Sequence, residues 1–223
     1  MSAMIPEILR AESTAVAVGM VRRYFGKTPE PDPTLKEKPE PYDGASFETL
    51  GGNWNDSAHA NTITAGDLLA LSALSVSVSG KSAIKIMSSD FLAEAESLLA
   101  HVPADVSISD PSADALIQRN GYADQFWDLL QTVPGFGPTR TSKLIARKRP
   151  LLLPVYDSVV RDVLGLKGPR HHWTRMREIM TADGNSVETR ATEIRDEAGV
   201  DPIVTPLRIV DVILWMEGKA HRN

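Results

Sequence analysis

A turn rich in glycine and proline, followed by basic residues, is the segment with the clearest potential for ligand binding. It reads Val133-Pro-Gly-Phe-Gly-Pro-Thr-Arg140, with helical apolar patterns before and after it. Gly135 and Gly137 can adopt positive φ angles, and they let the backbone approach a ligand closely. The turn would open a helix at Pro138 or Thr139, where free N–H groups favour a phosphate. The sequence therefore predicts a phosphate-binding hairpin with Phe136 between its two glycines.

Basic residues continue along the helix that follows this turn. Arg140, Lys143 and Arg147 are spaced i, i+3 and i+7, which places them on one helix face. The stretch 138–177 holds ten of the 24 basic residues but two of the 29 acidic ones, although the chain has a net charge of −5. Such a stripe would hold a DNA backbone without reading bases. The alternative is that this basic face packs against acidic parts of the same protein.

Asp157 is the candidate catalytic residue. It follows Pro154-Val-Tyr156 and precedes a predicted helix, so a helix N-cap is sufficient to explain it. Arg161 lies one helical turn further on and is a candidate phosphate contact, whereas Tyr156 is expected to pack in the core.

Composition excludes several other classes of protein. The chain has no cysteine, which excludes disulfides, thiolate zinc sites and cysteine-ligated iron–sulfur clusters. Its five histidines lack metal-ligand spacing, and there is no P-loop or Gly-x-Ser-x-Gly motif, so we expect no metal and no cofactor. No apolar run is long enough to cross a membrane, and charged residues occupy the N-terminus where a signal peptide is apolar. These features favour a cytoplasmic protein without a membrane partner.

The elements that position these residues are predicted to be helices throughout. We expect an all-α bundle of roughly seven to nine short helices that contains the hairpin. Residues 1–41 are predicted to form an N-terminal helix (Ile5–Phe25) and a proline-rich linker (Thr28–Pro41), and residues 42–223 the helical domain. Thr64 should cap a helix in a capping box with Asp67. Thr205-Pro206 should open a deeply buried last helix, whose polar stripe of Arg208, Asp211 and Trp215 is predicted to be a packed ion pair.

Two segments resemble a known superfamily. The hairpin sequence resembles that of the helix-hairpin-helix DNA glycosylases, the superfamily of endonuclease III, and Leu153-Pro-Val-Tyr-Asp-Ser-Val-Val-Arg161 is similar to its segment bearing the catalytic aspartate. The resemblance covers about 30 residues. Across its whole length the chain resembles a bacterial family of unknown function, through the loop at Tyr42, the Ala146-Arg-Lys-Arg-Pro run and the ending at Trp215.

The resemblance implies a glycosylase-like fold and a role for Asp157 in releasing a flipped base. It has one departure: Thr139 occupies the position where bifunctional members carry a Schiff-base lysine, and Lys143 lies one turn further along. Three functions follow as expectations. The leading one is sequence-nonspecific DNA binding, in which Gly135, Phe136, Gly137, Thr139, Arg140, Lys143, Arg147 and Arg161 contact the duplex. The second is a monofunctional DNA glycosylase that uses Asp157, and the third is a protein-interaction module that retains the fold.

Overall fold

Helices form all the regular secondary structure in residues 5–27 and 40–222, which are the residues that this computed structural model describes. The prediction of an all-α protein is confirmed. Most of the predicted proline-rich linker, at residues 28–39, lies outside the described residues. In the described parts of the chain, no helix is both long and apolar enough to cross a membrane.

The N-terminal segment begins with two short 3-10 helices, Glu7–Leu9 and Ala11–Ser13, and continues as α1 (Thr14–Tyr24). The single helix predicted from Ile5 is interrupted because Arg10 has an extended backbone, with φ −83° and ψ 163°. Gly26 follows α1 with a φ of 64°, so the predicted glycine stop is confirmed.

Six helices in the middle of the chain enclose the first hydrophobic core, which also includes Phe47 and Ile63. The capping box at Thr64 is confirmed, because its Oγ1 accepts from the backbone N–H of Asp67 and the Asp67 carboxylate accepts from that of Thr64. A 3-10 helix, Leu71–Leu74, follows the first of them. The helix predicted from Asp110 is shorter than expected. The six are α2 (Ala65–Ala70), α3 (Gly80–Ile86), α4 (Ser89–Leu99), α5 (Ala113–Ile117), α6 (Tyr122–Gln131) and α7 (Pro138–Lys148).

Four C-terminal helices and α1 surround the second hydrophobic core. They are α8 (Ser158–Val163), α9 (His172–Met180), α10 (Ala182–Glu197) and α11 (Pro206–Ala220). Residues 183–185 of α10 have positive φ, which matches the predicted break between two helices. Thr205 caps α11 through the backbone N–H of Arg208, and Pro206 occupies its first turn, as predicted. Because α1 buries Ala17, Val18 and Val21 in this core, a division at residue 41 would separate α1 from its packing partners.

An irregular segment from residue 40 to 64 covers α7 from outside. It contains the short 3-10 helices Asp43–Ser46 and Ser57–His59 and is otherwise made of turns. Phe47 is buried in the first core, and the Trp54 Nε1–H donates to the carbonyl of Ile203 at 2.8 Å. Two of its own side chains, Phe47 and Trp54, therefore fix a segment that has little regular structure.

Candidate functional site

The hairpin joins α6 to α7 through a tight turn at residues 132–137. Gly135 has a φ of +77°, which a residue with a side chain adopts only with strain. Phe136 is buried between the two exposed glycines and anchors the turn in the first core. The sequence-based expectation of an interruption between two helices is thus met, and the turn presents backbone to solvent on both sides of one apolar anchor.

The N-terminus of α7 has no capping side chain. Gly137 is the N-cap residue, Pro138 follows it, and the first helical hydrogen bond runs from the Thr141 N–H to the Gly137 carbonyl at 3.1 Å. Within the described residues, the backbone N–H groups of Thr139 and Arg140 have no acceptor. Two uncapped N–H groups at the positive end of an eleven-residue helix form a favourable position for an anion.

Arg140 is half-buried and braces the hairpin. Its Nε–H donates to the carbonyl of Ser77 at 2.9 Å and its Nη1 to that of Gly135 at 2.5 Å. The Ser82 hydroxyl donates to the carbonyl of Pro134 at 2.8 Å. The hairpin is therefore fixed against the loop that precedes α3, and a bound phosphate would meet a preformed surface.

Arg147 occupies a different environment from the one its spacing suggests. It is 2% exposed, and its guanidinium donates to Asp67 and to the carbonyls of Phe47, Leu50 and Gly52. The helix spacing is as predicted, but the irregular segment 40–64 covers this face of α7. Arg147 is fully engaged within the protein and does not form a continuous exposed stripe with Arg140.

The basic run at the end of α7 is also internal. The Lys148 ammonium donates to the carbonyls of His59 and Thr62, both at 2.8 Å, and to Asp67 at 3.0 Å. Arg149 donates to four carbonyls and to Asn61. Burial lowers the pKa of Lys148, and it lowers that of Arg149 to about 10. Lys148 and Arg149 therefore bind mainly backbone carbonyls of the surrounding segments. This agrees in part with the alternative that the basic face packs within the protein.

Asp157 caps α8 with one of its two carboxylate oxygens. Oδ1 accepts from the backbone N–H groups of Val159 and Val160, both at 2.9 Å. Oδ2 has no hydrogen-bond partner among the described residues, and the side chain is half-buried. Arg161, on the same helix, is partly exposed and pairs with Asp162 at 2.7 Å. Tyr156 is buried and packs edge-on against His172, which matches its expected core role.

A pocket of about 410 Å³ opens beside Asp157, and we call it the Asp157 pocket. It lies between the two hydrophobic cores and receives residues from α7, α8 and α11. On one side, Tyr24 and Tyr42 stack with ring centroids 5.4 Å apart, and Trp215 meets Tyr42 edge-on at 5.4 Å. Aromatic, charged and hydroxyl side chains from several elements line this pocket: Tyr24, Tyr42, Thr139, Lys143, Asp157, Arg208, Asp211 and Trp215.

Lys143 faces the Asp157 pocket from α7. It is 6% exposed, and its ammonium donates to the carbonyl of Leu74 at 2.7 Å. Burial lowers the pKa of Lys143, an effect that the nearby Asp157 carboxylate opposes. Thr139 lines the same pocket from the first turn of α7. Residues predicted from the hairpin and from the Asp157 segment thus converge on one cavity, although Lys143 is not on an exposed stripe.

Arg208 of α11 forms the floor of this pocket. Its guanidinium donates to Glu48 Oε1 at 3.0 Å and to the Tyr24 hydroxyl at 2.9 Å. The packed ion pair expected on α11 therefore exists, but the partner of Arg208 is Glu48, 160 residues earlier in the chain. Sequence analysis does not identify Tyr24, Tyr42 or Glu48 as site residues. No sequence motif indicates that these residues lie close to the pocket. Trp215 and Asp211 were noted only as part of a polar stripe.

Among residues 5–27 and 40–222, no cluster of three or more His, Asp or Glu side chains has the arrangement of a metal site. Comparison with curated proteins and with solved structures finds no match to this chain. A family model described as a family of unknown function, DUF6308, matches residues 17–218. This range includes the hairpin, Asp157 and every pocket residue named above. The chain therefore belongs to the DUF6308 family.

Proposed function

We propose that this protein binds duplex DNA through its hairpin and accommodates one nucleotide, turned out of the duplex, in the Asp157 pocket. The observation that carries the proposal is the shared position of the two features. Thr139 belongs both to the uncapped first turn of α7 and to the lining of the pocket. A phosphate held by the first turn of α7 would lie beside the pocket opening, as base extrusion requires.

The binding surface supported by the geometry is smaller than the sequence suggests. It comprises Gly135, Gly137, the N–H groups of Thr139 and Arg140, and the Arg140 side chain, with Arg161 beyond Asp157. Phe136 anchors the turn from inside, and Arg147 is excluded because its donors are engaged. Backbone amides and one guanidinium contact phosphates without reading bases, so binding is expected to be independent of sequence.

The first experiment replaces Gly137 by Asp. An added Cβ at Gly137 meets no heavy atom within 4 Å, and its φ of −83° and ψ of 178° suit a capping carboxylate. The carboxylate would occupy the free N–H groups of α7 and repel phosphate while stabilising the helix. We expect the duplex affinity to fall at least tenfold, with no loss of thermal stability, measured by fluorescence anisotropy and thermal denaturation.

The matched control is Ser88→Asp. Ser88 is the N-cap of α4 and its side chain makes no capping hydrogen bond, so this variant adds the same charge to another helix N-terminus. It should bind DNA like the wild type. Equal affinity of the wild type and Gly137→Asp would refute the hairpin interface. An equal loss of duplex affinity in both variants would show that the effect comes from net charge alone.

A second candidate function is hydrolysis of the N-glycosidic bond of the extruded nucleotide. Asp157 favours it, since one oxygen caps α8 and the other is uncommitted beside a cavity of about 410 Å³, a volume typical of small-molecule sites. In this reaction the bond between the sugar C1′ and the base breaks and its electron pair leaves with the base. Asp157 stabilises the positive charge on the sugar and accepts the proton of the attacking water.

Asp157→Asn tests this second function. Asn caps a helix about as well as Asp, but it supplies no negative charge to the reacting sugar. We expect folding and DNA binding to persist and base release to disappear, measured on damaged and mismatched duplexes with alkali added to reveal abasic sites. Release at the wild-type rate by Asp157→Asn would contradict the role of Asp157. Strand cleavage without alkali would instead assign an additional step to Lys143, the amine lining the pocket.

A further inference from the structure

Asp211 is a buried carboxyl group at the wall of the Asp157 pocket. It lies on α11 and is 2% exposed. Its Oδ2 accepts from the backbone N–H of Val155 at 2.8 Å, whereas its Oδ1 is buried and has no hydrogen-bond partner within the described residues. An unpartnered buried oxygen costs free energy, and it is expected where a ligand completes the hydrogen bonding.

Burial keeps Asp211 neutral. It raises the pKa of Asp211 to about 8, and the carboxylates of Asp157 and Glu48 act in the same direction. The Arg208 guanidinium and the Val155 N–H lower this pKa, but Arg208 is already engaged by Glu48 and the Tyr24 hydroxyl. Because Oδ2 accepts the Val155 N–H, Oδ1 is the oxygen available to carry the proton. As an O–H donor it has no acceptor among the described residues.

We propose that Asp211 determines ligand specificity in the Asp157 pocket by donating a hydrogen bond from Oδ1 to a ring nitrogen or carbonyl oxygen of a heteroaromatic ligand. This inference rests on the proposed function, in which the ligand is an extruded nucleobase. The aromatic side chains of Tyr42 and Trp215 supply ring contacts from another side of the pocket.

The same O–H can assist departure of the base. As the bond from C1′ to the base breaks, the electron pair moves onto the base and the Asp211 proton transfers to it. Water supplies hydroxide to C1′ and its remaining proton goes to Asp157. The net change is addition of one water across the N-glycosidic bond, and proton exchange with solvent restores both carboxyl groups.

The experiment uses the full chain and duplexes with one unpaired nucleotide opposite an abasic site. Each of the four bases is compared with a nonpolar shape analogue, in which C–F or C–H replaces the carbonyl and ring-nitrogen acceptors. The wild type should prefer at least one natural base over its analogue by about three- to tenfold, the effect of one hydrogen bond. Asp211→Asn, which retains an N–H donor, should keep this preference, and Asp211→Leu should lose it.

The pH dependence separates hydrogen bonding from a structural role. Above about pH 8 the wild type should lose its preference because Asp211 ionises, whereas Asp211→Asn should not. Arg208, Tyr24, Glu48, Asp157 and Lys143 surround Asp211 and are unchanged in this variant, so any pH dependence that remains belongs to them. His172, which contacts the carbonyl of Val155, is neutral in this range because burial lowers its pKa to about 4.

Three results would overturn the proposal. Equal affinity for every base and its analogue, with duplex binding intact, would show that Asp211 does not bind the base. DNA binding by the hairpin would remain as proposed. Asp211 and Glu48 both line a void of about 10 Å³, and Glu48 Oε2 also lacks a partner among the described residues. The partner of Asp211 Oδ1 would then be Glu48 Oε2 and not a ligand. Absence of the infrared band of a protonated carboxyl from the wild-type minus Asp211→Asn difference spectrum at pH 6 would refute the neutral state. Failure of every duplex to bind would refute the underlying function and this inference together.

Discussion

At the scale of single residues, Arg147 and Arg140 illustrate how one helix face can serve two purposes. Both belong to the basic spacing of α7, yet Arg147 is 2% exposed and bound to Asp67 and three carbonyls, while Arg140 is half-buried at the hairpin. Removing the Arg147 side chain leaves the carbonyls of Phe47, Leu50 and Gly52 without this donor, although Asp67 keeps its ion pair with Lys148. The loss of a buried, fully engaged cation costs about 3–5 kcal/mol. The two arginines should therefore respond differently to truncation.

We predict that Arg147→Ala lowers the free energy of unfolding by about 3–5 kcal/mol, measured by urea denaturation. Arg140→Ala should lower it by less than about 1 kcal/mol and should weaken duplex binding at the same time. A stable Arg147→Ala protein with weakened DNA binding would contradict the buried environment and restore the exposed stripe inferred from sequence.

The local conformations at the hairpin and at Asp157 could be predicted from sequence, because they depend on neighbouring residues: Gly135 has positive φ, Gly137 precedes the helix start, and Asp157 caps a helix. The position of Arg147 could not be inferred in the same way. Its burial results from a segment about 100 residues earlier whose carbonyls need donors, and no local pattern reports that contact.

At the scale of elements, α8 and α11 approach each other closely at Gly218. A Cβ added there would lie 2.5 Å from Val159 Cγ1 and 2.7 Å from Val163 Cγ2, both on α8. Because α11 has no side chain at Gly218, α8 can pack closely against α11. This packing places Asp157 next to the pocket wall that carries Asp211 and Trp215.

Gly218→Ala should force α8 away from α11 and destabilise the protein by about 1–3 kcal/mol. The matched control is Gly19→Ala in α1, where an added Cβ meets no atom within 4 Å and should stabilise the helix by up to about 1 kcal/mol. Thermal denaturation of both variants tests the contact. A Gly218→Ala protein as stable as Gly19→Ala would show that α8 and α11 are not in close contact.

Helix ends were predictable where capping chemistry is local, as at Thr64 and Thr205. The helix predicted from Ile5 begins at Thr14 instead, nine residues later, because apolar residues at Ile8 and Leu9 also fit a helical period. They are buried in the second core from 3-10 turns instead. The periodicity of apolar residues identifies which face of a segment is buried. It does not reveal that the backbone is extended at Arg10.

At the scale of the whole molecule, two buried titratable groups give stability opposite pH dependences. Asp211 keeps its proton in the folded protein up to about pH 8, whereas the unfolded chain releases it near 3.8, so stability falls as pH rises between these values. The pKa of His172 is lowered from 6.5 to about 4, so stability falls as pH drops through that range. The two effects oppose each other below about pH 6.5.

Between about pH 6.5 and 8 the Asp211 effect is no longer opposed by His172. We expect the free energy of unfolding to fall by about 2 kcal/mol across this range in the wild type and to change much less in Asp211→Asn. Denaturant titrations at fixed ionic strength measure it. Parallel pH profiles for the two proteins would show that Asp211 ionises normally despite its burial.

The pocket itself is a property of the whole chain, and the sequence did not predict its composition. Its walls combine Tyr24, Tyr42, Lys143, Asp157 and Trp215, which span almost 200 residues of the chain. The all-helical class follows from local periodicity, whereas the cavity depends on how two separate groups of helices pack around α7 and α11. A single sequence carries no direct record of that packing.

On the proposed function, DNA held at the hairpin places one base in the Asp157 pocket. The most direct measurement is photocrosslinking of a duplex that carries one unpaired 4-thiothymine, with the modified peptides identified by mass spectrometry. We predict crosslinks to Tyr42 or Trp215 in the wild type and their loss in Gly137→Asp. Crosslinks confined to residues outside the pocket, in a complex that forms with the wild-type protein, would contradict the claim.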